Sequence, residues 1–160
     1  MNVFLSYALR PWDAPIAARL RAVAAAYDIA VLLPDRTNQN GITVDTSNKI
    51  NQSDAVIALV TDSAPLDLVR TVNLEWQAAA QAGKPIIALI EQGVGFQSPP
   101  PGNVVIFNRQ HPTSHESSLL NALEQIRNKK QLKKDLTALG WIAGIALGLV
   151  ALSEVLSNEK

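Results

Sequence analysis

Apolar residues gather in five runs of strand length: Val3–Ser6, Ile29–Leu33, Ala55–Thr61, Pro85–Ile90 and Val104–Phe107. They are near-continuous rather than alternating, as in strands covered on both faces. Between them the period lengthens. Asp13–Tyr27 carries Ile16, Leu20, Val23 and Tyr27 at helical spacing among alanines, and Ile42–Gln52 predicts a short helix after the polar loop Asp35–Gly41. Pro65–Ala82 predicts a third helix, with the proline suited to its first turn and Gly83 to its C-cap. Ser98-Pro-Pro-Pro-Gly102 is a rigid connector to the fifth strand. Thr113 and Glu116 have the spacing of a capping box, opening a helix with Leu120, Leu123 and Ile126. Strict βα alternation predicts an α/β fold. It is a flavodoxin-like five-stranded parallel sheet in the order 2-1-3-4-5, ending near residue 110, with helices on both faces.

The last part of the chain breaks this pattern. From Leu136 to Ser153 there is no charged residue, with Asp135 and Glu154 as bounds. Eighteen helical residues at ~1.5 Å each reach roughly 27 Å, close to the ~30 Å hydrocarbon core of a bilayer. Arg127, Lys129, Lys130, Lys133 and Lys134 precede the run, and only Lys160 follows. The expected organisation is a folded domain over 1–128, a basic juxtamembrane segment over 129–135 and a transmembrane helix over 136–156. The basic flank predicts a single pass through the cell inner membrane with the N-terminal domain cytoplasmic. A hydrophobic helix buried in an oligomer is the alternative. Gly140, Gly144 and Gly148 lie on one helical face, where two backbones approach closely, so self-association in the membrane is expected.

Composition narrows the function. Fourteen basic residues balance fourteen acidic ones, so no overall field draws in nucleic acid. The chain has no cysteine, which excludes disulfides, thiolate metal sites and cysteine nucleophiles. It enters a strand by its third residue without a basic-then-apolar leader, so no secretory signal is expected.

One carboxyl group stands out. On the third helix Leu68, Val72, Glu75, Trp76 and Ala79 fall on one stripe, so Glu75 shares the face turned to the sheet. A carboxylate there is costly unless hydrated in a cleft or paired. On helix geometry alone the plain reading is a side chain at the edge of the stripe that reaches out to solvent, and a hydrated cleft position is the alternative. His111 and His115 flank Pro112 in a loop, and Asp35, Asp45 and Asp54 lie near turns or helix starts, where such residues are ordinarily structural. Gly93-Val-Gly95 lacks the spacing of a phosphate-binding fingerprint. Ser6 has no apparent His–Asp partners, so a serine hydrolase is not expected. No metal site is expected.

The order of these segments carries a resemblance. Val3-Phe4-Leu5-Ser6-Tyr7, then Pro34-Asp35-Arg36, then Ile50-Asn51-Gln52-Ser53-Asp54 with its apolar strand, then Glu75 and Gly83-Lys84-Pro85-Ile86-Ile87, together look like a Toll/interleukin-1 receptor (TIR) domain over roughly 1–128. The likeness is nearest to the compact bacterial TIR proteins of antiphage systems such as Thoeris. It implies an enzyme that cleaves the nicotinamide–ribose bond of NAD, as substrate and without a cofactor, by hydrolysis or by cyclisation to a cyclic ADP-ribose signal. Glu75 matches the family's catalytic glutamate. Ser6, Tyr7 and Ala8 match the turn beside the nicotinamide end, and Asp35 and Arg36 open the loop that shapes the cleft and meets a neighbouring subunit. Many eukaryotic members carry a tryptophan four residues before the glutamate; here Thr71 stands there, and Trp76 follows Glu75 as the candidate for base stacking.

Three other readings stay open. One is a nucleoside deoxyribosyltransferase-like protein, whose similar sheet also places a glutamate before a strand. Another is a non-catalytic TIR scaffold. The third is a TIR-triggered membrane effector.

Overall fold

The computed structural model describes residues 1–8, 13–35, 41–61, 66–94, 102–108, 110–111 and 116–131. Side chains of 66–69 are excepted. Five strands run in chain order, β1 (Asn2–Ser6), β2 (Ala30–Leu32), β3 (Ala55–Val60), β4 (Ile86–Glu91) and β5 (Asn103–Phe107). Helices α1 (Ala14–Ala26), α2 (Val44–Gln52) and α3 (Leu66–Gln81) lie between them, and α4 covers 116–131. All four strand pairs are parallel, in the order β2-β1-β3-β4-β5. Met1–Ile126 form one compact unit; of the second, Arg127–Lys160, the described residues 127–131 are helical.

The two sheet faces have separate cores. Val3, Leu5, Ile57, Leu59, Ile87 and Leu89 meet Ala17, Leu20 and Ala24 of α1 and Leu119, Ala122 and Leu123 of α4. The intervening positions Phe4, Val56, Ala58, Ile86, Ala88 and Ile90 meet Ile50 of α2 and Trp76 and Ala79 of α3. Alternate side chains point to opposite faces, and only strands buried on both can be apolar throughout. That holds for β1, β3 and β4. At the edge it fails: Val104 and Ile106 of β5 are 47% and 56% exposed, because the described residues cover that strand on one face.

Helix ends follow local chemistry. Gly83 takes a φ of +63°, its N–H meets Ala80 O at 3.0 Å and that of Lys84 meets Ala79 O at 2.9 Å, which together satisfy the last carbonyls of α3. At the end of α1 the same closure uses Asp28, at φ +54°, with the Ile29 N–H on Ala24 O at 3.0 Å. The buried stripe of α1 is Ala17, Leu20 and Ala24, whereas Tyr27 is 46% exposed. The small alanines let the helix sit close to the sheet, and the bulkier Ile16 and Val23 fall on its margins.

Among the described residues no helix is long and apolar enough to cross a membrane. The expected span over 136–156, with Gly140, Gly144 and Gly148, lies outside them, as do Thr113 of the capping box, His115 and Gly95.

Candidate functional site

In a sheet of this order the chain reverses direction between β1 and β3, and ligands bind beyond the carboxyl ends of the strands at that reversal. Ser6 is the last residue of β1 and pairs with Ala58 of β3. Phe4 and Ser6 share the face that meets α3. From that helix Glu75 reaches the strand end, and the Ser6 hydroxyl donates a short hydrogen bond to Glu75 Oε2.

Glu75 faces the sheet, as its place on the stripe predicts, with Val72, Trp76 and Ala79 buried beside it. Hydration in an open cleft is not what it finds there. Its exposure is 0%, and that of Ser6 is also 0%. Burial of a polar group without partners costs about 1–3 kcal/mol, so the carboxyl group is held by partners in place of water, Ser6 among them. Thr71, one turn earlier on the same face, is buried too.

The remaining residues singled out by sequence separate. Tyr7 packs with Val3 and Leu5 in the α1–α4 core, on the opposite face from Glu75. Ala8 is buried beyond the end of β1. The Asp35 N–H donates to Thr46 Oγ1 at 2.9 Å, and that hydroxyl lies 3.2 Å from Asp35 O, tying the end of β2 to the first turn of α2. Thr43 caps that helix, accepting from the Thr46 N–H at 3.1 Å. Arg36 lies outside the described residues. Trp76 is buried in the α2–α3 core, and its Nε1–H has no hydrogen-bond partner among the described residues. Asp45 pairs with Lys49 at 2.5 Å, and Asp54 Oδ2 accepts from the Asn2 N–H at 3.0 Å, both structural roles. No metal-binding cluster occurs among the described residues.

A second buried acid adjoins the same edge. Asp13, just before α1, is 1% exposed, and Thr61, just after β3, donates to its Oδ2 at 3.3 Å. By sequence Asp13 reads as a helix start. Only the fold joins it to Thr61, 48 positions away, so no local signal revealed the pair.

Fold and site together describe an α/β protein with two buried acids at its switch point. Neither a protein-family model nor any curated protein sequence matches the chain. Among solved structures it is similar to a CMP N-glycosidase from Clostridium botulinum. The identity is 18%, the match covers 74% of this chain and 98% of that one, and the TM-score is 0.55. At that identity the likeness establishes the shared fold.

Proposed function

We propose that this protein cleaves the N-glycosidic bond of a nucleotide, with Glu75 as the carboxylate at the ribosyl carbon. The observation that carries the reading is the pairing of Glu75 with Ser6 at the carboxyl end of β1, where the fold receives ligands. In such a cleavage the C1′–N bond breaks and the base leaves with the electron pair. Water then supplies a hydroxyl to C1′ and releases a proton. The barrier is an oxocarbenium-like sugar, which a fixed anion stabilises as charge develops.

NAD is the substrate that the TIR resemblance favours. Nicotinamide departs as a neutral molecule, so a single carboxylate suffices and no general acid is needed. Ser6 would then orient the Glu75 carboxylate toward the sugar. On this reading the segment over 136–156 anchors the enzyme in a membrane and brings copies together through Gly140, Gly144 and Gly148, in antiviral defence.

A nucleoside monophosphate is the second reading, favoured by the similarity to a CMP N-glycosidase. Cytosine leaves as an anion unless protonated, so this substrate asks one further proton of the site.

The test is to incubate the full chain with NAD and, separately, with CMP, and to follow release of the free base. Glu75→Gln keeps shape and a hydrogen-bond acceptor for Ser6 while removing the charge. Base release from at least one substrate, falling about 1,000-fold or more in Glu75→Gln, is the expected result. Undiminished turnover in that variant would assign the chemistry elsewhere. Absence of release from both substrates would favour a non-catalytic scaffold.

A further inference from the structure

We propose that the free edge of β5 docks a second copy of this chain, whose own β5 adds antiparallel across a two-fold axis at Val105. One sheet then runs through both molecules. The surface is separate from the Ser6–Glu75 pair, since β3 and β4 lie between β1 and β5.

Hydrogen bonding fixes which groups face outward. Phe107 is level with Glu91, and its carbonyl accepts from the Gln92 N–H at 2.8 Å. In a parallel pair such a residue bonds its neighbour through both backbone groups, and the next residue turns both away. Asn103, Val105 and Phe107 therefore serve β4, while the N–H and C=O groups of Val104 and Ile106 point to the free edge. Their side chains are open too. Val104 is level with Ala88 and Ile106 with Ile90; those neighbours are buried, yet Val104 and Ile106 are 47% and 56% exposed. The apolar face that packs on α3 thus runs uncovered to the edge of the sheet.

Proteins ordinarily guard a sheet edge with charge, proline, a bulge or shortness. The opposite edge, β2, spans only Ala30–Leu32 and is followed by Pro34. In contrast β5 runs for five residues, Asn103–Phe107, without charge or proline. It is also self-complementary. With Val105 on the axis, Val104 stands opposite Ile106 of the second copy. These outward residues form the pair that exchanges both hydrogen bonds in an antiparallel ladder, and the axis repeats the exchange. Directly opposed side chains share a face, so the valine and isoleucine of each copy cover those of the other. Asn103 meets Phe107, and no like charges are opposed. An edge this short buries less than the ~800 Å² per partner of a stable complex, which makes the dimer reversible and dependent on concentration.

The test measures the mass of the full chain in non-ionic detergent over a range of concentrations, with melting temperature alongside. Wild type is expected to pass from monomer to dimer and no further. Val104→Lys with Ile106→Lys sets like charges opposite one another and is expected to weaken the dimer about tenfold or more. Val104→Lys with Ile106→Glu sets opposite charges there, so its dimer is expected to be at least about tenfold tighter than that of the first variant. Equal affinity in the two variants overturns the register. Wild-type association in the first variant, as contact through Gly140, Gly144 and Gly148 alone would give, overturns the surface. The chain has no cysteine, so Val105→Cys adds a sole thiol. Antiparallel pairing sets the two copies of that position about 4.5 Å apart between Cα atoms, close enough for a disulfide. A disulfide-linked dimer on oxidation is expected. Its absence, a monomer at every concentration, or open-ended assembly overturns the proposal.

Discussion

Ser6 donates its hydroxyl to Glu75, a partner 69 positions later in the chain, and both side chains are sealed from solvent. One bond therefore joins β1, an interior strand, to the helix packed on it and orients the proposed catalytic group. Ser6→Ala removes a hydrogen bond to an acidic side chain inside the protein. A loss of about 1.5–3 kcal/mol in unfolding free energy is expected, read from the shift in denaturant midpoint at constant slope. Catalysis should fall at the same time, chiefly in kcat, because the carboxyl group loses its orientation.

Glu75→Ala should weaken the fold as well as the chemistry. A group exposed to water could be trimmed at little cost, but Glu75 is 0% exposed, so truncation leaves a void and an unpaired Ser6 hydroxyl. The expected loss is about 2–4 kcal/mol, against a smaller one for Glu75→Gln. Parallel urea melts of the two variants check the order; equal stability of both would contradict the burial.

Gly102 is required by a close approach. It sits at φ +96°, and an added Cβ would lie 2.3 Å from Ile86 O, within the strand that β5 joins. Backbone cannot give way as a flexible side chain can. Gly102→Ala should cost about 2–4 kcal/mol and loosen β5, seen as lowered melting temperature and faster amide exchange in β4 and β5.

Asp28 offers the opposite. It is exposed and holds φ +54° at the end of α1, where glycine takes the same conformation without strain. Asp28→Gly should stabilise the protein by about 0.5–1 kcal/mol, read as a raised melting temperature with unchanged activity.

Sequence pattern reached the architecture because each strand is set off by helical spacing. Its five runs match the observed strands to within about two residues, and the sheet order follows. Gly83 was legible because a helix stop demands its conformation. Glu75 was legible as a sheet-facing residue from the stripe it shares with Val72, Trp76 and Ala79. What escaped was long-range pairing. Nothing near Asp13 announces Thr61, and nothing near Glu75 tells whether water or Ser6 meets it. The TIR resemblance places Tyr7 with Ser6 in one turn, whereas alternation along an extended backbone sends the two side chains to opposite faces.

The strand order also sets a sequence in time. β1 is made first, yet its neighbour β3 emerges only some fifty residues later, and Glu75 later still. Until then Ser6 ends a strand with no core above it. Pairing across so long an intervening segment is slow relative to local helix formation, because loop closure precedes any compensating contact. The site thus cannot form on a nascent chain until α3 has emerged. A ribosome-bound chain truncated before Glu75 has emerged would hold β1 and α1 with nothing to bind.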